Sequence, residues 1–330
     1  MLRLTSRITI GEWSFNNCVE VEIHSSWEDM TDRCTITIPR KVRWLDKDLA
    51  AGTESALSVG DSVKVELGYD FNYSTYFEGF ITGIGAKTPV TIECQDAFWF
   101  LKQCSGKWTL GKGSTIADVL EKVEETYLNS PVFEKYGATI NFAPFKDTQV
   151  GTVRANNVSM AFVLSTLQKK MGIVSFMRNN TLYSGLAYYD DQRNEINRQF
   201  NYNIIDDSME QKKAEDARIK LVVKAIDNKN LAPVEVGDPE GDSITYLVSG
   251  VTTQAQMRER GEAELPKYKF DGWHGSFTTF GDEFIKHGDV INLTDKVIKD
   301  RNGKFFVKKV TTRFGVNGFR NTIDLHKKFE

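Results

Sequence analysis

The 330-residue chain is 40% apolar and 26% charged, enough for two or three domains of ordinary globular composition. Its net charge of −3 and pI near 5.9, with Lys and Arg scattered rather than clustered, speak against a nonspecific nucleic-acid binder. Four cysteines without C-x-x-C spacing predict free thiols in a reducing compartment. The opening "MLRLTSRITIGEW" lacks a signal-peptide core, and no apolar run approaches the ~20 residues of a membrane span. Folding in a cytoplasm, with no membrane partner, is expected.

The first hundred residues alternate with period two. "CVEVEIH" puts Val19, Val21 and Ile23 on one face and Glu20 and Glu22 on the other. "RCTITIP" does the same with Cys34, Ile36 and Ile38 against Thr35 and Thr37. Val63, Val65 and Leu67 oppose Lys64 and Glu66, and Val90, Ile92 and Cys94 oppose Thr91 and Glu93. One buried and one wet face per strand predicts an antiparallel barrel or sandwich.

The pattern changes near residue 105. "SGKWTLGKGS" reads as a connector, followed by a helix over 114–128 with Thr115 and Asp118 as its capping box. A second helix is predicted over 159–172, closed by Gly172. Residues 173–185 then form a hairpin turning at Asn179-Asn180. Residues 107–190 are thus expected to be an α+β module between β regions.

Strands return in "RQFNYNII" (198–205) and "RIKLVVKAI" (218–226). Residues 227–242 lack periodicity and read as an exposed loop, and a helix is expected from 253 to 265, ended by Pro266. Short strands then run to the end of the chain.

Two stretches echo each other. Gly60-Asp61 is followed by Val63 and Val65, and Gly288-Asp289 by Ile291 and Leu293. A Thr-Ile-acid strand follows each, with Thr91 31 residues after Gly60 and Thr322 34 residues after Gly288. Either one β-unit is built twice, or common turn chemistry recurs by chance.

Chemistry is sparse. His24, His274, His287 and His326 show no ligand spacing, and no nucleophile elbow, Walker loop or dinucleotide fingerprint occurs. "GKGST" precedes a helix but lacks the first P-loop glycine, so it is read as a connector and cap. No cofactor, metal or catalytic residue is nominated, and no enzymatic activity is expected. Two other readings stay open: a cell-wall glycan hydrolase using a carboxylate pair, and a carbohydrate-binding β-module.

The ordered set "SSWEDMTDRCTITIP", "VGDSVKVELGY", "YFEGFITGI", "VTIECQD", "STIADVLEKV", "NVSMAFVLSTLQKKMGIVSFMRNNTLYSG", "HGDVINLTD" and "GKFFVKKVTTRFGVNGFRNTIDLH" resembles the baseplate hub proteins of contractile phage tails. That family takes in the late control gene D proteins, the Mu-type hub and the N-terminal region of VgrG spikes. The resemblance implies two similar antiparallel β-barrel tube domains, 1–104 and 195–330, with the α+β module 107–190 between them. It implies a homotrimer whose six barrels adapt a sixfold tail tube above to a threefold spike below. DNA or tape-measure protein would pass through without specific binding. It also implies a place in the virion tail baseplate after assembly in the host cytoplasm. Spike and hydrolase would then be separate polypeptides. Under this reading Lys64, Glu66, Thr91, Glu93, Asn292, Thr322 and Asp324 line the channel, and Gly60, Asp61, Gly288 and Asp289 are the repeated turns.

Overall fold

The computed structural model describes residues 3–39, 43–44, 47–48, 57–145, 148–185, 193–225, 228, 230–248, 251–269 and 272–328. The expected domain ends at 1, 190 and 330 fall outside the described residues.

The first region holds β1 (Leu4–Ile10), β2 (Trp13–Phe15), β3 (Glu20–Ser26), β4 (Arg33–Ile38), β5 (Arg43–Trp44), β6 (Lys47–Asp48), β7 (Ser62–Tyr69), β8 (Asn72–Ile84) and β9 (Val90–Gln95). The alternating residues behave as the period requires. Val21, Ile23, Cys34, Ile36, Ile38, Val63, Val65, Leu67, Val90, Ile92 and Cys94 are all buried in one core. Val19 is the exception: it precedes β3 and is 36% exposed, not part of the buried row. The four cysteines are free thiols, three of them buried.

The middle region follows with α1 (Phe98–Gln103), β10 (Ser105–Leu110), α2 (Ile116–Leu128), α3 (Pro131–Tyr136), β11 (Asn141–Pro144), β12 (Val153–Ser159), α4 (Met160–Met171), β13 (Val174–Arg178) and β14 (Thr181–Gly185). Thr115 and Asp118 form the expected capping box, and Gly172 closes α4 at φ 67°. Asn179 and Asn180 take φ values of 50° and 58°, the left-handed turn that asparagine tolerates. The core of this region begins earlier than residue 107. Ala97, Phe98, Phe100, Leu101 and Cys104 pack with Ile116, Leu120, Val163 and Leu164 of the two long helices.

The last region contains β15 (Glu195–Gln199), β16 (Asp206–Asp207), β17 (Glu210–Lys212), β18 (Ile219–Ala225), β19 (Val234–Gly237), β20 (Asp242–Val248), α5 (Gln254–Glu264), β21 (Gly272–Phe280), β22 (Val290–Thr294), β23 (Gly303–Gly315) and β24 (Gly318–Lys328). Two expectations need correction. The strand expected over 198–205 is β15 and ends at Gln199, where Tyr202 and Asn203 donate back to the Gln199 carbonyl in a turn. The expected loop 227–242 contains β19, whose Val234 and Val236 are buried beside α5. The helix expected from 253 to 265 is α5, capped by Thr253 and ending at Glu264, with Pro266 in the 3₁₀ turn Leu265–Lys267 that follows. Together β18, β19, β20 and α5 form a satellite with its own small core.

The two β regions share one fourteen-stranded sheet, in the order β16-β21-β24-β23-β3-β4-β9-β8-β7-β1-β2, with β22 on β23 and β17 on β21. All its pairs are antiparallel except β15 on β22. The path stays open from β16 to β2 among the described residues, so the expected closure of each region into a barrel of its own is not seen. The regions meet where β23 pairs with β3, from Lys309 opposite Ser26 to Gly315 opposite Glu20. Beyond that seam the tip of the β23–β24 hairpin carries Phe314 and Phe319 into the core of the first region.

Candidate functional site: the repeated unit and its solvent face

The two turns that echo in sequence are built by the same hydrogen bonds. The Gly60 N–H donates to the Ile81 carbonyl (2.8 Å), and the Ile81 N–H to the Asp61 carbonyl (2.9 Å). The Gly288 N–H donates to the Val307 carbonyl (2.8 Å), and the Val307 N–H to the Asp289 carbonyl (2.8 Å). Each aspartate also folds back on its own turn. Asp61 Oδ2 accepts from the Ser58 N–H (2.8 Å), and Asp289 Oδ2 from the Lys286 N–H (3.0 Å). Gly60 and Gly288 sit at φ 98° and 87°, a region that favours glycine.

Strand order repeats with the turns. Around the first turn it runs β7-β8-β9-β4-β3, and around the second β22-β23-β24-β21-β16/β17. Both β8 and β23 carry a register shift after the matched residue, between Ile81 and Gly83 and between Val307 and Lys309. Gly83 then lies opposite Glu93, and Lys309 opposite Asp324. The chain from turn to shift is 21 residues in the first unit and 19 in the second. From shift to threonine it is 10 residues and 15. The longer second hairpin is the one that reaches across to β3.

The predicted polar residues all sit on the face turned from the cores, and the structure divides them. Thr91 and Glu93 on β9, and Thr322 and Asp324 on β24, lie on one continuous stretch of sheet, joined through β4, β3 and β23. Its rows cross the seam: Glu93, Thr35, Glu22, Arg313 and Arg320 stand in successive register. Thr311, Thr322 and Thr278 continue a neighbouring row, with the last two hydroxyls 3.1 Å apart. Arg313 Nη2 donates to Glu22 Oε1 at 2.7 Å, and His24 Nε2 lies 3.2 Å from the same oxygen. Burial lowers the His24 pKa against the pull of Glu22, so the ring tends to neutrality and the stretch carries paired charges and hydroxyls.

The other three predicted residues lie off this stretch. Glu66 on β7 accepts two hydrogen bonds from Arg7 (2.6 and 2.8 Å), and Lys64 stands 3.6 Å from Glu78. That pairing with Arg7 holds the Glu66 carboxyl below its usual range. Asn292 on β22 donates to Asn197 Oδ1 at 2.9 Å. Sequence reading missed Glu22, His24 and Arg313 as members of the shared face. The alternation placed the Glu22 side chain outward, but only the seam shows what it meets.

A second feature had only a faint sequence signal. A cavity of about 220 Å³ opens where the three regions meet, lined by Asp32, Asp96, Tyr76, Arg178, Asn179 and His287 among others. Asp96 Oδ2 accepts from the Asp32 N–H (2.7 Å) and Oδ1 from the Phe98 N–H (3.0 Å). It thereby clips the β3–β4 loop to the start of α1, and an acid just before the apolar run "AFWFL" was the cue. Burial pushes the Asp32 carboxyl up to about 7 against the hydrogen bonds of Ser25 and Ser26 and the charge of Arg178. Burial and the neighbouring Asp32 push Asp96 up as well. With both Asp96 oxygens held by backbone donors, this pair is arranged as a structural joint.

No family model and no curated protein matches the sequence. Solved structures do match. A 43 kDa tail protein of prophage MuSo2 from Shewanella oneidensis superposes with a TM-score of 0.66 at 14% identity, covering 97% of both chains. A tail protein of Neisseria meningitidis gives 0.66 at 15% identity, covering 98% of this chain and 97% of the other. This is a phage tail-protein fold. A type VI secretion component of Escherichia coli, itself described as similar to bacteriophage T4 tail proteins, gives 0.58 at 12% identity over 98% of this chain and 77% of that one. At such identities the tail-protein likeness is one of fold. No helix among the described residues is long and apolar enough to cross a membrane.

Proposed function

We propose that the chain is a structural hub of a tail baseplate, in a phage, a prophage or a related injection machine. Three copies form a ring, and the two similar β-units of each copy present six near-equivalent positions. That arrangement fits a sixfold tail tube on one side and a threefold spike on the other. The observation that carries this reading is the doubled turn: three backbone and side-chain hydrogen bonds recur at Gly60-Asp61 and Gly288-Asp289, inside the same strand order. The phage tail-protein fold over nearly the whole chain supports it.

In such a ring the continuous face carrying Thr91, Glu93, Thr322 and Asp324 lines the channel. Its threonines and the paired Glu22 and Arg313 give passing DNA or tape-measure protein little fixed charge to bind. No reaction is assigned to the chain, which acts by holding the tube protein, the spike and neighbouring baseplate proteins in register within the virion tail. Electron microscopy of tail particles carrying an affinity-tagged chain tests this. The tag is expected in three copies at the junction of tube and spike, and tail particles without it would exclude the role.

A further inference from the structure

Two of the four thiols stand face to face. β4 and β9 pair without a register shift from Arg33 opposite Gln95 to Ile38 opposite Val90, which sets Cys34 directly opposite Cys94. Both side chains are buried in the first region's core, on the face they share with the pairs Ile36–Ile92 and Ile38–Val90. The ladder fixes what kind of pair this is. The Asp96 N–H donates to the Asp32 carbonyl (3.2 Å), and hydrogen-bonded pairs recur at every second step, so Cys34 and Cys94 form such a pair two steps along. Its Cα atoms stand about 5.5 Å apart, inside the span of about 4.4–6.8 Å that a disulfide bridges. The Cβ atoms have to draw in to about 4 Å, so the bond forms under some strain.

The pair sits where a bond has consequences. β4 pairs with β3, the seam strand, and β9 leads through Asp96 into α1 of the middle region. A disulfide here fixes covalently the junction that Asp96 holds by hydrogen bonds. A thiol pair also suits a soft metal, but no such pair is joined by a third His, Cys, Asp or Glu in a ligand group among the described residues. Access is the obstacle to oxidation. Burial pushes the Cys94 thiol up to about 12, and burial with the neighbouring Cys94 pushes Cys34 well above its ordinary value. The thiolate is the reactive form, so the closed sheet reacts slowly. Cys34 is the second residue of β4 and Cys94 the last but one of β9, so fraying of these strand ends beside the β3–β4 loop exposes both.

We propose that Cys34 and Cys94 form a reversible redox staple, a dithiol in the reduced chain that closes into a disulfide in oxidising surroundings. The oxidant is a small-molecule disulfide of the glutathione class. One cysteine thiolate attacks a sulfur of that disulfide and expels one small thiolate; the other cysteine thiolate attacks the mixed disulfide and expels the second. One S–S bond replaces another, and the two cysteine protons end on the two small thiols. Strain makes the bond readily reducible, so the staple opens again in a reducing cytoplasm. Only its timing rests on the hub reading: release of the particle from the cytoplasm closes it.

The purified full-length chain is equilibrated under native conditions with mixtures of reduced and oxidised glutathione. Its remaining thiols are then blocked in denaturant, and the products are weighed and peptide-mapped. In oxidising mixtures two of the four thiols are expected to escape blocking, with one link joining the Cys34 and Cys94 peptides. Cys34→Val and Cys94→Val each abolish that link, whereas Cys18→Ala with Cys104→Ala retains it. Should a valine variant fail to fold, the map of the Cys18/Cys104 variant carries the test. Closure is expected to raise the wild-type Tm by roughly 5 °C and to leave the valine variants unmoved. Four blockable thiols in the most oxidising mixture overturn the proposal, as does a link between any other pair or closure with an unchanged Tm. The same map on tail particles before and after release tests the timing, and an open pair in released particles overturns that part alone. Absence of the chain from tail particles would sink the hub role and leave the staple standing.

Discussion

At the scale of single residues, Asp32 separates what the sequence states from what only the fold creates. Nothing in "EDMTDRC" marks this acid out from Asp29 three residues earlier in the loop. Its elevated pKa arises from burial, with the charge of Asp29 adding to it, in a joint where Asp96, 64 positions away, accepts from its backbone N–H. The consequence for stability has a definite sign. An ordinary aspartate in the unfolded chain titrates near 3.9, while Asp32 in the folded chain titrates at about 7. Between those values the folded state holds a proton that the unfolded state has lost. The stabilisation is complete below about pH 4 and drains away as pH rises through the folded value. Asp32→Asn keeps the neutral form at every pH. Thermal melts are expected to show a wild-type Tm that falls between pH 5 and pH 8 and a variant that falls less, overtaking wild type at the alkaline end. Parallel curves for the two proteins would show that Asp32 is not protonated in the fold.

At the scale of elements, legibility followed how local the signal was. The helix of 114–128, its capping box, the Gly172 cap and the Asn179-Asn180 turn depend on neighbours within four residues, and the sequence displays those. The strand Val234–Gly237 was missed because four residues are too few to show a period among Pro, Gly and acids. What makes it a strand is a partner, β18, and the helix above it. Gly261 of that helix lets the backbone settle on the sheet, since a Cβ there would lie 2.7 Å from Val223 and 2.9 Å from Val236. Gly60 shows both kinds of cause at once. Its left-handed backbone is readable in the Gly-Asp turn, but a Cβ there would also come within 2.2 Å of the Tyr136 ring on α3. Gly60→Ala is therefore expected to cost more than the ~1–2 kcal/mol of the backbone conformation alone. In a Tyr136→Ala background the same change should cost only that backbone share. Urea titration of the four proteins measures the difference as a coupling energy, and simple additivity would remove Tyr136 from the account.

At the scale of the whole molecule, the repeat was visible in letters while the joining of its two copies was not. Period-two alternation fixes which side of a strand is buried, but nothing in it says which strand lies beside which, so β23 against β3 had no local cue. The five extra residues between Val307 and Thr322, compared with Ile81 to Thr91, are the trace left in the sequence. They lengthen one hairpin until Phe314 and Phe319 enter the other unit's core. Phe319 is fully buried, with its ring 5.6 Å from that of Tyr69 and 5.3 Å from that of Tyr76. Gly281 lies so close that a Cβ would come within 2.3 Å of the Phe319 ring. Such a side chain ties two units into one cooperative structure. Phe319→Ala is expected to lower stability by about 3–5 kcal/mol. Native-state hydrogen exchange locates the loss. If the units are one cooperative body, amides of β7 and β8 accelerate together with those of β23 and β24, although the substitution lies some 250 residues away from Tyr69. Acceleration confined to β23 and β24 would instead show two independently stable units, and the seam would then be a contact between domains rather than the spine of the molecule.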